Sequence, residues 1–147
     1  IDLTEEKIGQ LLQEFYMNFF SWMRYQYKQM GQDKCLTLSQ FHVLFKINEF
    51  GVCNMSCLSE AIEVSKGTMT SMLNKLVEEG YVKRSSSSKD RRNVYVSLTQ
   101  KGEEKLNYNK QKFMKAVINT LSKLDDKNRE EIQNGLECLT SAFKGKK

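Results

Sequence analysis

The chain has no proline, one histidine and one tryptophan in 147 residues. Without proline there are no φ-locked breaks, so glycine must punctuate the helices. A single histidine, His42, gives no metal triad and no Ser or Cys partner at a usable catalytic spacing. No glycine-rich phosphate loop is present. These absences point away from an enzyme, and no cofactor or metal is expected. No apolar run approaches the ~20 residues of a membrane helix. The start, Ile1-Asp2-Leu3-Thr4-Glu5-Glu6-Lys7, shows no basic stretch leading into an apolar block. No membrane partner and no secretory signal are therefore expected, and the location expected is cytoplasmic. Cysteine is sparse and irregularly spaced, at Cys35, Cys53, Cys57 and Cys138, as in reduced cytosolic proteins.

What is present fits a folded domain. Hydrophobic residues make up 39% and charged residues 28%, enough apolar content to build one core and too little charge for disorder. The net charge of +5 is local. Lys66, Lys75, Lys83, Arg84, Lys89, Arg91, Arg92 and Lys101 face only Glu78, Glu79 and Asp90 between Ser65 and Lys101. That window carries the whole +5, and the rest of the chain is balanced. Concentrated positive charge is the footprint of a polyanionic partner.

Periodicity divides the chain. Ile8, Leu11, Leu12, Phe15, Tyr16, Phe19, Phe20, Met23 and Tyr27 step by threes and fours, predicting an aromatic-rich helix from Thr4 to Met30 that ends at Gly31. A second helix is expected over Ser39–Phe50, with Phe41, Leu44, Phe45 and Ile47 inward. After Gly51, Val52-Cys53-Asn54 reads as a short extended piece. Ser56 opens a short helix through Ile62. Ser65 then caps a helix over Lys66–Glu79 that stops at Gly80. Two short helices joined by a tight turn form a helix-turn-helix.

Tyr81-Val82-Lys83-Arg84 reads as a strand. So does Asn93–Leu98, where Val94, Val96 and Leu98 alternate with polar positions. The polar stretch between them, Ser85-Ser86-Ser87-Ser88-Lys89-Asp90-Arg91-Arg92, is then a hairpin tip. A hairpin directly behind a helix-turn-helix makes a winged helix. Thr99 caps a further helix with Leu106, Phe113, Val117 and Leu121 in a stripe, in which Gly102 is a small cost. A last helix covers Asp125–Phe143, with Ile132, Leu136, Leu139 and Phe143 on one face. The expected class is mainly α (an α+β winged helix), with about six helices and a short β-hairpin wing.

On the Lys66–Glu79 helix, Met69, Met72, Leu73, Leu76 and Val77 fall on one side. Gly67, Thr68, Ser71, Asn74 and Lys75 fall on the other, a small polar face sized for a DNA major groove. In the wing, Arg91 and Arg92 suit a narrow minor groove. Asp90 suits an internal role, accepting from loop amides or orienting a neighbouring arginine. Lys66, Arg84 and Lys89 add cationic contacts. The serine run lets the hairpin approach the backbone closely.

The segments SKGTMTSMLNKLVEEGYVKR, DRRNVYVSLTQKG and LTLSQFHVLFKI, in this spacing, resemble the multiple-antibiotic-resistance regulator (MarR) family of winged-helix transcription factors. The motif resemblance covers roughly Leu36 to Gly102. It implies a homodimer in which the first helix and the last two interlock. Residues 1–35 would be an N-terminal dimerisation helix, 36–98 the DNA-binding region and 99–147 the C-terminal dimerisation helices. It implies a repressor bound to a pseudo-palindromic double-stranded operator. Carried over by position, Ser65, Thr68, Thr70, Ser71 and Lys75 match recognition-helix contacts, and Asp90 and Arg92 match the wing pair. Two positions depart from the family pattern: Ser71 stands where a basic residue is frequent, and Asn74 where an acidic one is frequent.

Such regulators are often released by a small molecule, a metal or an oxidant. Tyr16, Phe20, Met23 and Phe41 would line a pocket for a small aromatic or lipophilic effector, and equally fit a dimer core. Cys35 is the thiol placed for oxidant sensing. Cys53 and Cys57 lack the second pair a structural zinc needs, and His42 could add one ligand beside Cys35. The competing class is a winged-helix module that meets an acidic protein partner; thiol- or metal-sensing variants of the regulator also remain open.

Overall fold

The computed structural model describes residues 4–29, 36–86 and 92–145. Helix α1 spans Glu5–Gln29, with Glu5 and Glu6 in its first turn and Lys28 in its last. Those charges oppose the helix dipole at each end. Thr4 caps it by accepting from the Lys7 N–H at 3.2 Å. The expected stop at Met30 and Gly31 lies outside the described residues.

Helix α2 is Leu38–Phe50. It starts before the expected Ser39 because Thr37 and Gln40 form a capping box. The Gln40 N–H donates to Thr37 Oγ1 at 3.1 Å, and the Thr37 N–H donates to Gln40 Oε1 at 3.0 Å. Gly51 ends α2 at φ 77°, in the left-handed region that favours glycine. Strand β1 is Cys53–Asn54 and helix α3 is Met55–Ile62. Helix α3 begins before Ser56 because Asn54 is the cap, its Oδ1 accepting from the Cys57 N–H at 2.7 Å. Helix α4 is Lys66–Glu78, capped by Ser65.

Strands β2 (Val82–Ser86) and β3 (Val94–Leu98) pair antiparallel, from Val82 opposite Leu98 to Ser86 opposite Val94. Tyr81, expected within the strand, precedes it. The extended Cys53-Asn54 pairs with β3 on its other side, giving a sheet of order β1-β3-β2. Helix α5 is Gln100–Leu121, and α6 is Asp126–Phe143 with Asp125 as its cap. Six helices and a small antiparallel sheet are thus the winged-helix architecture.

Gly102 is where the sequence reading needs correction. It is no mere helix cost: a Cβ there would lie 2.0 Å from the Tyr81 carbonyl oxygen. Only glycine lets α5 seat against the strand entry. Thr99 fixes the same junction, accepting from the Gly102 N–H at 3.0 Å and donating to the Gly80 carbonyl.

The chain divides into two compact units, one up to Lys110 and one from Gln111. The first holds the core. Val43, Leu44 and Ile47 of α2, Leu58 of α3, Met69, Leu73 and Leu76 of α4, and Val96 of β3 are fully buried. Phe45, expected inward, is 39% exposed. Val43, Leu44 and Ile47 occupy the core side of α2, which leaves Phe45 on another face. There it stacks on Phe41 at 6.1 Å beneath the Lys110 ammonium. In the second unit, Leu121, Ile132 and Leu136 line an apolar groove.

Candidate nucleic-acid interface

The site grows from the two faces of α4. Met69, Leu73 and Leu76 are at 0% exposure, locking the rotation of the helix. The opposite face must then point outward. Ser65, Lys66, Gly67, Thr68, Thr70, Ser71, Asn74 and Lys75 are all exposed. Ser65 Oγ accepts from the Thr68 N–H at 3.1 Å and donates to Thr68 Oγ1 at 2.9 Å. Thr70 donates its hydroxyl proton back to the Lys66 carbonyl at 2.8 Å. The first turn is therefore internally braced, while its side chains stay at the surface.

The wing is joined to this face. Arg84 on β2 donates from Nη2 to Asn74 Oδ1 at 2.6 Å. Both residues are exposed. The far end of α4 is also held: Lys101 Nζ donates to the Glu79 carbonyl at 2.7 Å and sits 5.1 Å from the Tyr81 ring centroid. Arg92 is exposed just before β3. Lys89, Asp90 and Arg91 lie outside the described residues, as does Cys35.

The Arg84–Asn74 bond was not read from the sequence. The residues are ten apart, and their meeting depends on where β2 leaves α4. A neutral amide thus joins helix and wing where the family pattern would place a carboxylate.

The other candidates lie elsewhere. Tyr16 is 62% exposed and stacks on Phe20 at 6.1 Å. The Arg24 guanidinium lies 5.1 Å from the Phe20 centroid. Phe20, Met23 and Phe41 are half-buried. Burial, and secondarily the neighbouring Cys57, push the Cys53 thiol above its ordinary pKa. Cys57 and Cys138 are exposed. Among the described residues no cluster of three His, Cys, Asp or Glu side chains is arranged to hold a metal. No helix among them is long and apolar enough to cross a membrane.

A helix-turn-helix with an exposed polar second helix, backed by a cationic antiparallel hairpin, defines a winged helix-turn-helix transcription regulator. The model of the MarR family matches residues 36–94, the helix-turn-helix and most of the wing. It is 29% identical over 112 residues to the HTH-type transcriptional regulator YfiV of Bacillus subtilis, covering 76% of this chain and 70% of that protein. It is 36% identical over 76 residues to the HTH-type transcriptional regulator SarZ of Staphylococcus aureus, covering 52% of this chain and 51% of SarZ. The match thus spans about half the length of SarZ. Among solved structures, Streptococcus pneumoniae FabT in complex with DNA superimposes with a TM-score of 0.70 at 25% identity. That match covers 98% of this chain and 100% of FabT. The chain is a DNA-binding transcription regulator, not an enzyme.

Proposed function

We propose that the chain binds a pseudo-palindromic operator as a homodimer in the cytoplasm and represses by covering a promoter. The observation that carries this reading is the braced, exposed polar face of α4 tied to a cationic wing strand. In it, Ser65, Lys66, Gly67, Thr68, Thr70, Ser71, Asn74 and Lys75 enter the major groove. Arg84, Lys89, Arg91 and Arg92 meet phosphates or the minor groove beside it, and Asp90 orients the wing arginines. The two-fold arrangement is supported by large exposed apolar side chains, among them Leu11 and Phe15 on α1 and Leu136 and Phe143 on α6. A small aromatic or lipophilic effector would bind near Tyr16, Phe20, Met23 and Phe41; Tyr16 stacks on Phe20 within α1, and Phe41 on Phe45 within α2.

Fluorescence anisotropy with labelled duplexes across a salt series tests the operator reading. Specific binding should weaken steeply with salt. Lys75→Ala and Arg92→Ala should each reduce affinity while leaving fold and oligomeric state intact, and each should flatten the salt slope by about 1 per subunit. DNA affinity unchanged in both variants would instead favour a protein-contact module.

A further inference from the structure

We infer that Asn74 is a specificity-determining residue that reads guanine in the major groove, in an orientation set by Arg84. The inference rests on the operator reading above and names the base class for that face.

The argument begins with donor and acceptor inventory. A guanidinium has only N–H donors. Its 2.6 Å contact with Asn74 must therefore use the carboxamide oxygen, which leaves the Nδ2 donors outside that bond. That oxygen is held by a charged donor, a stronger bond than a neutral base could offer in exchange.

An asparagine reads adenine by accepting from N6–H and donating to N7 together. Here the Arg84 guanidinium takes one of the two lone pairs and crowds the accepting side of the amide, so the Nδ2 donors are its freer half. Guanine presents two acceptors, O6 and N7, and no donor on its major-groove edge. Adenine offers one acceptor beside a donor that would face the Asn74 N–H groups. The complement of the Arg84-bound Asn74 amide is therefore guanine.

Placement supports the same conclusion. Gly67, Ser71 and Asn74 follow one exposed strip of α4 at steps of four and three. Nothing but Ser65 Oγ, at 4.0 Å, comes near a Cβ position on Gly67, so the strip is open at its N-terminal end. Lys75, the next residue, is a cation and offers no acceptor to compete for the Asn74 donors. The substitution of an amide for the frequent acid also leaves the Arg84 charge uncompensated at this contact, available to a phosphate.

The experiment is in vitro selection from a random duplex library, run on the full chain and on Asn74→Ala and Arg84→Ala. The wild type should enrich guanine over adenine by about tenfold at one position in each half-site. Asn74→Ala should relax that position to within about twofold and leave the other positions unchanged. Arg84→Ala frees Oδ1, so the same position should shift toward adenine. A wild-type motif that Asn74→Ala leaves intact at every position overturns the inference and makes Asn74 a brace only. An unshifted preference in Arg84→Ala overturns the orienting role of Arg84. If the wild type enriches no motif, the operator reading fails and this inference falls with it.

Discussion

Gly102 and Asn109 sit on one buried stripe of α5 with Leu106, and each makes a testable case for a single atom group. At Gly102 the Tyr81 carbonyl occupies the space a methyl would need. Gly102→Ala must push α5 away from the strand entry and disturb the Thr99 bonds beside it. A loss of about 3 kcal/mol is expected, larger than the gain in helix propensity, and urea denaturation measures it. Asn109 is the opposite case. Its side chain is 2% exposed, and neither Oδ1 nor Nδ2 has a hydrogen-bond partner among the described residues. A buried unpaired amide costs about 1–3 kcal/mol. Asn109→Leu, which keeps the branch at Cγ and removes both polar atoms, should raise the melting temperature; a fall shared by the smaller Asn109→Ala would show that the amide is paired.

Elements were more legible than their edges. The hairpin was readable because Val94, Val96 and Leu98 alternate and Gly80 marks the break before them. The recognition helix was readable because its apolar and polar residues separate cleanly by face. The starts of α2 and α3 each moved by one residue: Thr37 caps ahead of Ser39 through its reciprocal Gln40, and Asn54 caps ahead of Ser56 through the Cys57 N–H. Phe45 was misplaced because apolar character does not say which of two faces meets the core. Asn109 was missed because the stripe was traced by apolar residues alone. The Arg84–Asn74 bond was out of reach, since sheet register and helix rotation set it jointly. The capping box gives the prediction at this scale. Thr37→Ala removes one half of a reciprocal pair and should destabilise by about 1 kcal/mol. Far-UV spectra at low temperature should change little, because the buried Val43, Leu44 and Ile47 still hold α2.

At the scale of the molecule, charge and apolar exposure are assigned to different tasks. The whole net charge of +5 falls between Ser65 and Lys101, around the reading helix and wing. The helices outside that window instead show large apolar side chains to solvent: Phe15 at 54%, Leu136 at 50% and Phe143 at 65%. On α6, Ile132, Leu136 and Phe143 share one exposed face, and an exposed apolar face marks an interaction surface. In the proposed homodimer a second copy covers that surface and also serves DNA reading, because two recognition helices about one turn apart bind one duplex more tightly than either alone. Leu136→Glu tests this directly. A carboxylate on that surface must be desolvated if a second subunit covers it, while a side chain already half exposed leaves the fold of the single chain intact. Analytical ultracentrifugation should show the variant as monomer where the wild type is dimer. Affinity for a full operator should fall by about a hundredfold or more, whereas affinity for an isolated half-site should hardly change. A variant that stays dimeric with full operator affinity would place the two-fold contact elsewhere, and the exposed face of α6 would then need a different occupant.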